Sequence, residues 1–140
     1  MDLHGKNFIG RKLSGEGTAR FSGINPTKAE ELEPSFYKAT EAEIDQALAL
    51  AERGFEEYRE QPAERVASFL ERIAEDIMGL GDELIRRALA ETALPEARLM
   101  GERGRTVGQL KMFAESTQLA APLQPSKYPV NVTRHRCKKR

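Results

Sequence analysis

From residue 40 onward, apolar positions recur at the spacing of a helix rather than a strand. Ile44, Ala47, Leu48, Ala51, Phe55 and Tyr58 fall on one face. Thr40 and Glu43 stand in the S/T-x-x-E order of a capping box, so this helix starts at Thr40. Gly54 interrupts it at a cost of ~1 kcal/mol relative to Ala, which implies that another element approaches closely there. A second helix opens at Pro62, whose missing N–H costs nothing in the first turn. Val66, Phe69, Leu70, Ile73, Ala74, Ile77 and Leu80 form its stripe, and Gly79 and Gly81 end it. A third, shorter helix follows from Asp82 with Leu84, Ile85, Ala88 and Leu89 inward. Pro95 breaks the chain and begins a fourth helix that runs to about Glu115.

The fourth helix is distinguished by small residues. Ala97, Gly101, Gly104 and Gly108 fall at i, i+4, i+7 and i+11, a stripe without bulk against which another backbone can lie. Met100, Val107, Leu110 and Ala114 form a neighbouring apolar track. Each helical glycine costs ~1 kcal/mol against Ala. Such a helix is therefore poor in isolation and makes physical sense inside a larger packed body.

Residues 1–39 carry strand and turn signals instead. Asn7-Phe8-Ile9 and Thr18-Ala19-Arg20-Phe21 are separated by Ser14-Gly15-Glu16-Gly17, a turn candidate. The pattern predicts one small hairpin, Lys6–Leu13 with Thr18–Ile24, followed by a turn at Asn25-Pro26-Thr27. A two-stranded hairpin is marginal in water and must lean on another element. The expected fold is mainly α: a short N-terminal β-hairpin and turn segment over 1–39, then about four helices over 40–121. Residues 122–140, with Pro122, Pro125 and Pro129 and no helical stripe, read as an irregular basic tail.

Charge sharpens that division. The 140 residues balance 22 basic against 22 acidic side chains. Six of the bases (Lys127, Arg134, Arg136, Lys138, Lys139 and Arg140) crowd into the end of the chain, where no acid occurs. The remainder is acidic and has no electrostatic reason to bind nucleic acid or an anionic membrane. A single cysteine, Cys137, allows no intramolecular disulfide. MDLHGKNFIG is not a secretory signal, and no apolar run approaches the ~20 residues of a membrane span. Together these features lead to the expectation of a cytoplasmic chain.

The candidate chemistry is sparse. Basic neighbours of Cys137 would lower its thiol pKa, but no catalytic motif surrounds it and an accidental thiol is the better reading. The basic run lacks an aromatic platform beyond Tyr128, so only non-specific, salt-sensitive nucleic-acid contact is expected. Asn131-Val132-Thr133 matches the glycosylation acceptor pattern by coincidence. His4 and His135 are far apart without ligand-spaced partners, so no metal site is expected. Gly15-Glu16-Gly17 and Gly101-Glu102-Arg103-Gly104 lack the strand, turn and helix order of a dinucleotide loop. The carboxylate pairs Glu56-Glu57 and Glu75-Asp76 lie on polar helix faces. Arg103 and Arg105 could clamp an acidic partner, though exposure or an ion pair is the more ordinary role.

Four ordered stretches carry a family resemblance: NFIGRKL, INPTKAEELEPSF, ATEAEIDQALALAERGFEEYRE, and the run from Pro62 to Phe113 that includes ETALPEARLMGERGRTVGQLKMF. Over about Lys6 to Ala120 the chain resembles the N-terminal segment of NAD(P)-dependent aldehyde dehydrogenases. The resemblance is closest to the branch acting on α-ketoglutarate semialdehyde (2,5-dioxovalerate) and on fatty aldehydes. It implies an incomplete piece of that α/β fold, taken from the nucleotide-binding domain. The intact family oxidises aldehydes through a cysteine nucleophile, hydride transfer to NAD or NADP, and a glutamate base. None of those catalytic or cofactor-binding residues has a counterpart at a position of this sequence, and no cofactor is expected for it alone. The expected partner is the remainder of such a subunit, or a second copy through exposed apolar faces. The tail over 122–140 shows no resemblance to the family, and the sharp change of composition after Pro122 suggests a shifted reading frame or a truncated product. The alternative expectation is a stand-alone helical interaction or scaffold module without catalysis.

Overall fold

The computed structural model describes residues 3–120. Two small antiparallel hairpins precede four helices. Strands β1 (Asn7–Ile9) and β2 (Lys12–Ser14) form the first hairpin, with Ile9 opposite Lys12. Gly10, at φ 62°, takes the first position of its two-residue turn, where a positive φ matches the right-handed twist of the flanking strands. Strands β3 (Arg20–Asn25) and β4 (Glu30–Tyr37) form the second, with a register irregularity between Phe21 and Gly23.

This corrects the single hairpin expected from the sequence. Asn7–Ser14 forms a complete hairpin, and the Gly15-Glu16-Gly17 stretch belongs to the connection to the next one rather than to a hairpin turn. Asn25-Pro26-Thr27 does turn the chain. Asn25 Oδ1 accepts the N–H groups of Thr27 (3.0 Å) and Lys28 (3.2 Å), and the Asn25 carbonyl accepts from Ala29 N–H at 2.8 Å. That turn leads into β4, which the sequence reading did not predict. The hairpins are tied together where the Gly5 carbonyl accepts Tyr37 N–H at 2.9 Å.

The helices follow the apolar periodicity closely. Helix α1 spans Glu41–Tyr58, α2 Ala63–Gly79, α3 Gly81–Thr92 and α4 Glu96–Ala120. Pro62 stands one position before α2, as its N-cap. Helix α4 runs five residues beyond the expected Glu115. The main helical seam joins α2 to α4, and α3 packs on α4 and on β3. Ala67 and Ala74 on α2, with Val107 and Ala114 on α4, are the buried positions of those two helices. Each pair is seven residues apart, two turns on one face, and small side chains there let the helices close tightly.

The close approach expected along Ala97, Gly101, Gly104 and Gly108 is therefore not where α4 meets its neighbours. All four are exposed. A Cβ added at any of the three glycines would meet nothing within 4 Å beyond the adjoining backbone of its own helix. Gly54 is equally open, so no described element approaches it. The apolar stripe of α1 is also uncovered: Ile44 is 48 %, Leu48 63 % and Phe55 59 % exposed.

Candidate functional site

The most constrained polar centre lies where α1 begins. Thr40 has an extended backbone, and its Oγ1 accepts Glu43 N–H at 3.2 Å. Glu43 Oε2 in return accepts Thr40 N–H at 2.8 Å and the Thr40 hydroxyl at 3.1 Å. This is the capping box expected from the sequence. The other oxygen reaches further. Oε1 accepts the Ser14 hydroxyl and Glu16 N–H (3.3 Å), joining the end of β2 to the helix. Glu43 is buried. The Ser14 hydroxyl, foremost, and the Thr40 amide hold its carboxyl down to about 2 against the opposing effect of burial. Such a group is a permanent anion and does not exchange protons near neutrality. It acts as a structural acceptor.

A second polar tie involves Arg87 on α3. Its Nη1 donates to the Glu33 carbonyl on β4 and its Nε to Glu91 Oε1. Nη2 has no hydrogen-bond partner and lies over β3 at Gly23, where a Cβ would come within 3.3 Å of it. Glycine at this position leaves room for the guanidinium. Sequence reasoning missed both the reach of Glu43 to Ser14 and the role of Arg87. Only the i, i+4 pairing of Arg87 with Glu91 was legible as a local signal.

The sequence candidates are scattered and do not converge. His4 Nδ1 accepts Lys6 N–H at 3.1 Å, and its ring stands edge-on to Phe8. Among the described residues no group of three His, Cys, Asp or Glu side chains could hold a metal ion. In Gly15-Glu16-Gly17 the Glu16 N–H donates to the Glu43 carboxylate, while Gly15 lies against the Tyr37 ring and Gly17 against the Lys38 carbonyl. Gly101–Gly104 lies inside α4. Arg103 is committed to structure, its Nη1 donating to the Gly81 carbonyl at 2.8 Å, whereas Arg105 is exposed. Glu56 pairs with Arg59 at 3.5 Å and Asp76 with Arg72 at 3.0 Å, both at the surface. Glu57 and Glu75 are exposed. Cys137, His135, Asn131-Val132-Thr133 and the basic run lie outside the described residues.

Two open grooves flank α1. One, of about 400 Å³, is lined on the β1 side by Phe8 and Ile9 and on the helix by Ile44, Ala47, Leu48 and Ala51. The other, also about 400 Å³, lies between the C-terminal end of α1 and α2, with Arg11, Tyr58, Arg65 and Phe69 among its walls. Tyr58 and Phe69 meet there edge to face at 6.3 Å. Neither groove gathers an acid, a base and a nucleophile. Their chemistry suits packing more than catalysis. No described helix is long and apolar enough to cross a membrane.

Comparison with known proteins gives this surface a context. The profile of the aldehyde dehydrogenase family matches residues 12–137. That match takes in most of the stretch from 122 that the sequence reading set apart from the family. The chain is 44% identical over 138 residues to alpha-ketoglutaric semialdehyde dehydrogenase 2 of Azospirillum brasilense, covering 93% of this chain and 26% of the relative. It is 38% identical over 112 residues to alpha-ketoglutaric semialdehyde dehydrogenase of Acinetobacter baylyi, covering 80% of this chain and 21% of that protein. The chain thus spans about a quarter of the length of these relatives, and corresponds to their N-terminal quarter. By the extent of the profile match, the chain belongs to the aldehyde dehydrogenase family.

Proposed function

We propose that this chain serves as the opening quarter of an NAD(P)-dependent aldehyde dehydrogenase subunit that oxidises α-ketoglutarate semialdehyde, and that it oxidises no aldehyde by itself. The observation that carries this reading is the uncovered apolar face of α1, in a chain that spans about a quarter of its relatives' length. Leu48 and Phe55 stand in water here at positions whose helical periodicity is that of a buried face. A neighbour packed on that face would restore the burial that the periodicity encodes. The residues described supply shape, caps and apolar contact surface. Nucleotide binding, the cysteine nucleophile and the glutamate base would belong to the parts that the longer relatives possess. NADP or NAD would be the hydride acceptor of the assembled subunit, in the cytoplasm.

The purified chain should show no reduction of NAD or NADP with 2,5-dioxovalerate and no saturable nucleotide binding by calorimetry. Saturable turnover or nucleotide binding by the chain alone would overturn the proposal. Mixing it with the remaining three-quarters of the Azospirillum relative should yield a soluble complex, and failure to associate would favour an independent scaffold module instead.

A further inference from the structure

We propose that the β1–β2 hairpin is a detachable strap lying against the flank of α1, latched by one oxygen of the Glu43 carboxylate. The hairpin has little apolar anchorage of its own. Its strands are three residues each, too short to persist unsupported. Phe8 is 76 % exposed and Leu13 48 %, leaving Ile9 as the buried apolar residue of the pair. The turn rests on α1 at Leu50, whose Cδ1 would lie 3.1 Å from a Cβ placed on Gly10.

The entry to β1 is held where the Gly5 carbonyl accepts Tyr37 N–H, so the strap can pivot there; the polar anchorage of its exit is concentrated and divided. Glu43 Oε2 is spent on Thr40 and fixes the start of the helix. Oε1 accepts from Ser14 and Glu16, at the chain's exit from β2. Hydrogen bonds to a buried carboxylate are charge-assisted and stronger than neutral ones. Because the two oxygens serve different elements, the strap can be released while the capping box stays closed. Release would swing Phe8 and Ile9 away from Ile44, Ala47 and Leu48, the residues they share a groove with. It would also uncover Leu50. The hairpin therefore sets how much of the apolar face of α1 is open.

Limited trypsin digestion of the full chain tests this, since Arg11 and Lys12 lie in the strap while Arg65 and Arg72 lie in α2. Ser14→Ala removes the donor from the strap and leaves the Thr40–Glu43 box intact. Cleavage at Arg11 and Lys12 should accelerate about tenfold, the expected scale for losing one charge-assisted hydrogen bond, with cleavage at Arg65 and Arg72 unchanged. Ser14→Thr, which keeps a hydroxyl, should restore slow cleavage. Glu43→Gln should accelerate cleavage of the strap as well. Unchanged strap cleavage in Ser14→Ala, or equal acceleration at the strap and α2 sites, would overturn the proposal.

Discussion

At Glu43 the two oxygens of one carboxylate hold different elements, and the group's acidity follows from those bonds. The carboxyl is lowered from 4.5 to about 2, chiefly by the Ser14 hydroxyl and then by the Thr40 amide. A carboxyl depressed in the folded chain contributes stability that is fully present above its unfolded value. That contribution is lost as pH falls through the folded value. Protection of α1 from unfolding should accordingly decline between pH 4.5 and about 2, and Glu43→Gln should flatten that limb. A chain whose α1 stability is indifferent to pH across this window would contradict the assignment. Thr40→Ala should destabilise α1 by roughly 0.5–2 kcal/mol, the usual loss for an N-cap hydroxyl, read by hydrogen exchange of the first-turn amides. The Thr40–Glu43 half of this centre was legible because a capping box is local, four residues long. The Ser14–Glu43 half spans a sequence separation of 29, and no local pattern encodes such a meeting.

Among the elements, helix α4 separates periodicity from packing most clearly. In the apolar track Val107 and Ala114 are buried and Leu110 is half-buried, and Met100 stays half exposed. The stripe of glycines looks outward, with nothing beyond the adjoining backbone of α4 within 4 Å of an added Cβ. Without a steric penalty, only helix propensity decides the effect of a methyl group there. Gly101→Ala, Gly104→Ala and Gly108→Ala should each stabilise the isolated chain by about 1 kcal/mol, measured by chemical denaturation. A destabilising outcome would mean that a surface outside residues 3–120 already covers the stripe. The tight seam falls instead on Ala67, Ala74 and Ala114, all fully buried. Helix limits were readable because caps and proline act through neighbouring residues. Strand β4 was not: it is rich in acids and contains Pro34, which argues against a strand interior. Arg87, donating to the Glu33 carbonyl next to that proline, holds it against α3 from a distance of 54 residues.

On the scale of the whole molecule, the uncovered surface dominates. Phe8, Leu48 and Phe55 are each more than half exposed on or beside α1, and such apolar patches favour association. Sedimentation of the purified chain should show self-association. Leu48→Glu should weaken it about tenfold or more, given the ~1.5–3 kcal/mol gained on burying a leucine. A monomer at all accessible concentrations would show that the face is satisfied some other way.

What the amino-acid order settled by itself was the local part: four helices, their caps and breaks, the mainly helical class, and a family resemblance that the profile match and two relatives bear out. These depend on interactions within a few residues, or on similarity read along the chain. The tertiary structure decided the rest. It split one expected hairpin into two, chose alanines over glycines for the α2–α4 seam, and divided the Glu43 carboxylate between helix and strand. Each of those outcomes depends on which distant segments meet, and periodicity along one segment carries no information about its partner.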